Sequence, residues 1–199
     1  MIGLKPALLC ALVAAGAAHA EAPQWSDKLA LGRPAEEEIQ GWPGLAKIAA
    51  RATMEKYGKP DGVGKDALVW YAKGPWKRTL VHRRAWPHYT FRQDKDFLEN
   101  VIGYVVPKDK LEALTRFDRR LDVDQPSAEI SARAESESMS FLALNLADEI
   151  IRGKRTVDEA RDFQKQIVRL AAAGKASGYL NGFLFDVHND ASPNPWSHQ

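Results

Sequence analysis

The sequence predicts an α+β fold, a single domain with helices packed on a small, mainly antiparallel sheet. Three observations carry that expectation. Two strand-like runs flank the turn Lys73-Gly74-Pro75-Trp76, a hairpin signature. Two segments, 138–152 and 156–173, combine helical apolar spacing with end signals. No internal repeat or low-complexity block interrupts the alternation of helix-like and strand-like stretches.

The elements follow in order. Pro34 opens a helical pattern whose acids, Glu36, Glu37 and Glu38, suit the positive end of a helix dipole. Gly41-Trp42-Pro43-Gly44 interrupts, and a second helix is expected from Pro43 to Tyr57, with Leu45, Ile48, Ala49, Ala52 and Met54 as its apolar face. Gly58, Pro60, Gly62 and Gly64 make the next loop. Residues 68–72 and 77–84 form the hairpin strands, and 97–106 supply a third strand that Pro107 ends. A helix is expected over 109–121, with Leu111, Leu114 and Phe117 inward. Ile130, Ala132 and Ala134 alternate with Ser131, Arg133 and Glu135, the pattern of a strand with one wet face. The segment 138–152 is apolar on more than one side, so it belongs at the centre. Thr156 and Glu159 form a capping box for the last helix, which Gly174 stops. A short strand at 184–187 and a loose tail at 191–199 complete the chain.

The first twenty residues read as an export signal. Lys5 is their only Lys, Arg, Asp or Glu, an apolar run covers 7–18, and Ala18-His19-Ala20 has the small-x-small form of a cleavage site. That run is too short to cross about 30 Å of hydrocarbon. The expected product has a polar lead at 21–33, a domain at 34–190 and a periplasmic or secreted location. Cys10 is the single cysteine and leaves with the signal, which excludes disulfide, thiolate and zinc-knuckle chemistry. Of 28 Lys and Arg only Lys5 is lost, leaving 27 against 26 acids. A chain so near neutrality has no global field to draw nucleic acid or a membrane surface, so any electrostatic recognition is local.

Several runs carry a family likeness: Gly74-Pro75-Trp76-Lys77-Arg78-Thr79, Pro87-His88, Ser131-Ala132-Arg133, and 141–147 (FLALNLA) with 153–157 (GKRTV). Through these, about half of the chain resembles an uncharacterised family of exported bacterial proteins. The resemblance implies export and supplies no activity. Relatives carry a cysteine after the Ser-Ala-Arg run, where this chain has Ala134, so thiol chemistry there is not available to it.

The distinctive stretch lies between Asp66 and Asp94, an interval without a single acid. It holds six cations (Lys73, Lys77, Arg78, Arg83, Arg84, Arg92), with His82, His88 and six aromatics interleaved. Two readings compete. In one, Trp76, Arg78, Arg83 and His88 bind an anionic or sugar-like small molecule or an envelope partner, arginine supplying a planar fork and the aromatics a stacking surface. In the other, Trp70 and Trp86 are core anchors and the cations a solvated sheet face.

Asp186, His188 and Asp190 stand at period two, so on a strand they share a face. With His88 or His82 they make a nitrogen and oxygen set of the kind zinc or manganese accepts, the alternative reading of a metal-binding protein or metal-dependent hydrolase. The competing view is a polar C-terminal loop. Arg133, Glu135 and Glu137 are expected as a charge ladder on one strand face, and one of Asn145 and Asp148 as a buried group partnered by Arg133 or Arg152. No Gly-x-Ser-x-Gly and no phosphate loop occurs. No cofactor or oligomeric state is assigned.

Overall fold

The computed structural model describes residues 34–85 and 96–187, together with Asn189. The expected export signal and lead at 1–33, Trp86, His88, His188, Asp190 and the tail at 191–199 therefore lie outside the described residues.

Within them a six-stranded antiparallel sheet is packed with helices, the expected α+β arrangement. The strands are β1 (Gly62–Val63), β2 (Ala67–Tyr71), β3 (Arg78–His82), β4 (Leu98–Gly103), β5 (Leu121–Asp124) and β6 (Glu129–Ala134). Their spatial order is β1-β2-β3-β4-β6-β5, so β6 sits between β4 and the edge strand that precedes it in sequence. The helices are α1 (Ala35–Ile39), α2 (Gly44–Tyr57), α3 (Leu111–Phe117), α4 (Glu137–Ile151) and α5 (Val157–Ala172).

Register places the helices. Leu68 faces Val81, Val81 faces Leu98 and Leu98 faces Ala134, while Ile102 faces Ile130, so these side chains share one side of the sheet. The first half of that face forms a core with Ile39, Trp42, Ala46 and Ala50 of the N-terminal helices. The second half packs against Leu114, Phe117, Leu142, Leu146 and Ile167 of α3, α4 and α5. A buried polar seam joins the two cores: Asn100 donates to Thr79 Oγ1 at 3.1 Å and accepts from the Ser140 hydroxyl at 2.9 Å. Each polar group is satisfied, so the seam fixes the register of β3, β4 and α4 without leaving an orphan in the core.

The end signals are realised. Thr156 and Glu159 form a reciprocal capping box on α5, and Ser136 accepts from Met139 N at the start of α4. Gly74 has φ +57°, and a Cβ there would stand 3.2 Å from the Tyr57 hydroxyl, so glycine lets the hairpin turn close against α2.

Four expectations change. The buried face of α2 is Ala46, Ala50 and Thr53, while Leu45 and Ile48 are exposed, Ile48 at 66%. Small residues win that face because they let the helix lie close to the large Trp70 and Leu68. The helix expected over 109–121 ends at Phe117, and Leu121 and Val123 face β6 in a strand of only four residues. The strand with one wet face has both faces largely covered: Glu129 and Ser131 are buried, and Arg133 is half-buried. It ends at Ala134, so Glu137 is no rung of a ladder. It opens α4 and binds Lys56 and Tyr57 of α2, each at 2.7 Å. Residues 184–187 form no strand. There Phe183 and Phe185 stack on Trp76, Phe141 and Tyr104, because aromatic area holds the segment where backbone pairing does not.

Candidate functional site

The acid-free hairpin is not one site. Its turn and its open end lie at opposite ends of β3, and the structure treats them differently. At the turn, Trp76 is 1% exposed and packs between Phe141 and Phe183, with ring centroids 4.6 and 5.2 Å away. A ring so enclosed offers no stacking face to a ligand. Arg78 forms a fork on Glu129 with bonds of 2.8 and 2.6 Å, and Lys77 joins at 2.9 Å. Burial alone would raise the Glu129 carboxyl, but these cations bring it below its ordinary range. Trp76 and Arg78 are therefore built into the fold, Trp76 as the kind of core anchor expected of Trp70, which is also buried.

The open end is different. His82 ends β3, and with Arg83 and Arg84 just beyond it meets Lys65 and Asp66 from the loop before β2, with Ala85 and Arg133 completing an open cleft of about 780 Å³. Arg83 N donates to Asp66 O at 2.8 Å, which clips the loop to the strand end. The Arg83 guanidinium reaches Gly41 O at 3.2 Å. Among the described residues no carboxylate stands within ion-pair distance of Lys65, Arg83 or Arg84.

The cleft wall is a linked cluster. Glu99 of β4 takes His82 Nε2 at 2.6 Å, the Ser131 hydroxyl at 2.9 Å and Arg133 Nε at 3.0 Å. Burial pushes the Glu99 carboxyl up, yet the bond from His82, the charges of His82 and Arg133 and the Ser131 hydroxyl together hold it down at about 2. An ionised Glu99 can only accept, so Nε2 of His82 carries the hydrogen that joins them. Cross-strand order explains the cluster: Arg133 lies directly opposite Glu99, with Ser131 two residues along the same face.

Of the four residues expected to bind a ligand, Arg83 lies in this cleft, Trp76 and Arg78 lie at the far end of the strand, and His88 is outside the described residues. The metal set is not brought together among the described residues, where no three side chains of ligand type converge. Asp186 is exposed, and the following Asn189 binds Gly103 N at 3.0 Å and Pro75 O at 2.7 Å, at the turn end of the sheet. His82 is beside Phe97, six residues along β4 from Gly103 and so about 20 Å away at the strand rise of 3.4 Å per residue. His188 and Asp190 lie outside the described residues.

Both Asn145 and Asp148 are buried, where only one was expected to be, and their partners were only partly foreseen. Asp148 takes Arg152 at 2.7 Å and the Tyr104 hydroxyl at 2.8 Å. Asn145 donates to Gly182 O and accepts from Leu184 N, so α4 holds the C-terminal segment by its backbone.

Lys65, Glu99, Ser131 and the cleft role of Arg133 were not foreseen. Glu99 had a signal: it is a carboxylate beside Leu98, Val101 and Ile102 in a mostly apolar strand, and a charge enclosed there demands partners. Lys65 had none, because only the β1–β2 connection brings it to Arg83.

Among the described residues no helix is long and apolar enough to cross a membrane. The chain matches no family model, no curated protein and no solved structure.

Proposed function

We propose that this chain is an exported binding or accessory module that holds an anionic ligand in the cleft at the open end of the hairpin. One observation carries the reading. Lys65, Arg83 and Arg84 converge on one open cleft with no ion-pair partner among the described residues, whereas Lys77 and Arg78 at the turn already share Glu129. Matched cations stabilise a fold; unmatched ones in a concave site raise the local concentration of an anion. Half-buried Arg133 is oriented by Glu99 and forms the back wall, which gives the cleft a fixed shape before any ligand arrives. Export rests on the first twenty residues of the sequence.

The test uses the mature protein recovered from a periplasmic extract, expected to begin at Glu21. Calorimetric titration with a trisulfated heparin disaccharide should give saturable binding. Lys65→Gln and Arg84→Gln should each weaken it about tenfold, and Lys175→Gln, on an exposed residue outside the cleft, should leave it unchanged. Equal binding by all four proteins would contradict the proposal.

A further inference from the structure

Charge, size and lining together describe the occupant more closely. Arg133 is matched by Glu99, so the charge left for a ligand comes from Lys65, Arg83 and Arg84 set against Asp66. Three cations and one carboxylate leave two positive charges among the described residues. Nε2 of His82 is engaged by Glu99 at 2.6 Å and is not counted toward the ligand. A monoanion would leave half of that charge uncompensated, and a dianion would balance it.

The volume sets a second limit. About 780 Å³ falls within the range of sites for drug-sized ligands, about 300–1,000 Å³. A lone inorganic ion would leave most of that space to water and reach few of the cations at once. The lining sets a third. Among the described residues Ala85 is the one apolar residue in the wall, and the others carry hydrogen-bonding groups. The lysine and arginine stems also line it, but they offer an acyl chain no continuous apolar face and leave their hydrogen-bonding heads for a polar ligand. Hydroxyl groups find donors and acceptors throughout it.

Resting on the reading that the cleft binds an anion, we infer that its ligand is a hydrophilic dianion of sugar size, a sugar carrying either one phosphate monoester or two sulfates. Lys65 and Arg84, the two exposed cations, take the charged groups, and Arg83 is held in the lining by its bond to Gly41 O.

The experiment is calorimetry at pH 8 with the mature full chain and probes that separate the three limits. Glucose 6-phosphate is a dianion there, since a phosphate monoester loses its second proton near pH 6. Glucose 6-sulfate has the same shape and one charge. Inorganic phosphate has the charge without the size, and hexyl phosphate has the charge on an apolar body. Glucose 6-phosphate should bind about tenfold more tightly than each of the other three. Glucose 3,6-disulfate distinguishes the two sources: tighter binding than glucose 6-phosphate means the charges are spread over two groups, weaker binding means they sit on one, and both fit a dianionic sugar. Equal affinity for glucose 6-sulfate overturns the charge, for inorganic phosphate the size, and for hexyl phosphate the hydrophilic lining. In those cases, if Lys65→Gln and Arg84→Gln still weaken binding, the anion cleft stands and only this inference fails. If no probe binds, or those variants change nothing, the anion cleft fails with it.

Discussion

Glu99 is the residue on which the cleft wall turns, since one carboxylate orients an imidazole, a hydroxyl and a guanidinium. Its carboxyl is held near 2 in the folded chain, against an ordinary value of 4.5. A depressed folded value means stability that is fully present above about pH 4.5 and is lost as the pH falls toward 2. The difference corresponds to about 3 kcal/mol. Thermal melts of the native chain should therefore drop steeply between pH 4.5 and 2.5. Glu99→Gln should start lower at pH 7 and lose less over that interval, because the group that titrates is gone. Parallel curves for the two proteins would mean that Glu99 is not held as described. The sequence showed the carboxylate but not its partners, because they come from β3 and β6, remote in the chain and joined only by register.

At the scale of elements, periodicity located most helices and strands and misjudged what some of them bury. The hairpin, the capped α5 and the central α4 were legible because turn chemistry, capping pairs and a continuous apolar run are local signals. The inward face of α2 was not, since apolar size pointed to Leu45 and Ile48 while the sheet beneath, crowded by Trp70, admits only Ala46 and Ala50. The two possibilities differ sharply in a denaturation experiment. Ile48→Lys should change stability by less than about 0.5 kcal/mol, as exposed substitutions do. Ala50→Leu should cost about 1–3 kcal/mol through overpacking. A large loss from Ile48→Lys with none from Ala50→Leu would reverse the face of α2. Strand β5 escaped notice for a different reason. Four residues offer too little alternation to register, and the strand exists because β6 needs a partner on its outer side.

Across the whole molecule the helices gather over one side of the sheet, and their cores are stitched by Asn100, Thr79 and Ser140. The other side carries Val69, Leu80 and Val101 between two ion clusters, Glu129 with Lys77 and Arg78 at the turn end and Glu99 with His82 and Arg133 at the open end. The sequence pointed to the hairpin as the candidate site. It could not divide that hairpin into a sealed end and an open one, because the difference is made by Phe141, Phe183 and Glu129, all from later in the chain. That division is the central claim, and amide chemical shifts read it directly. In a titration of isotope-labelled mature protein with the trisulfated disaccharide, the largest shifts should fall at 65–66, 82–85 and 133, with 74–78 and 183–187 unmoved. Shifts centred on Trp76 and Arg78 would contradict it and return the site to the turn.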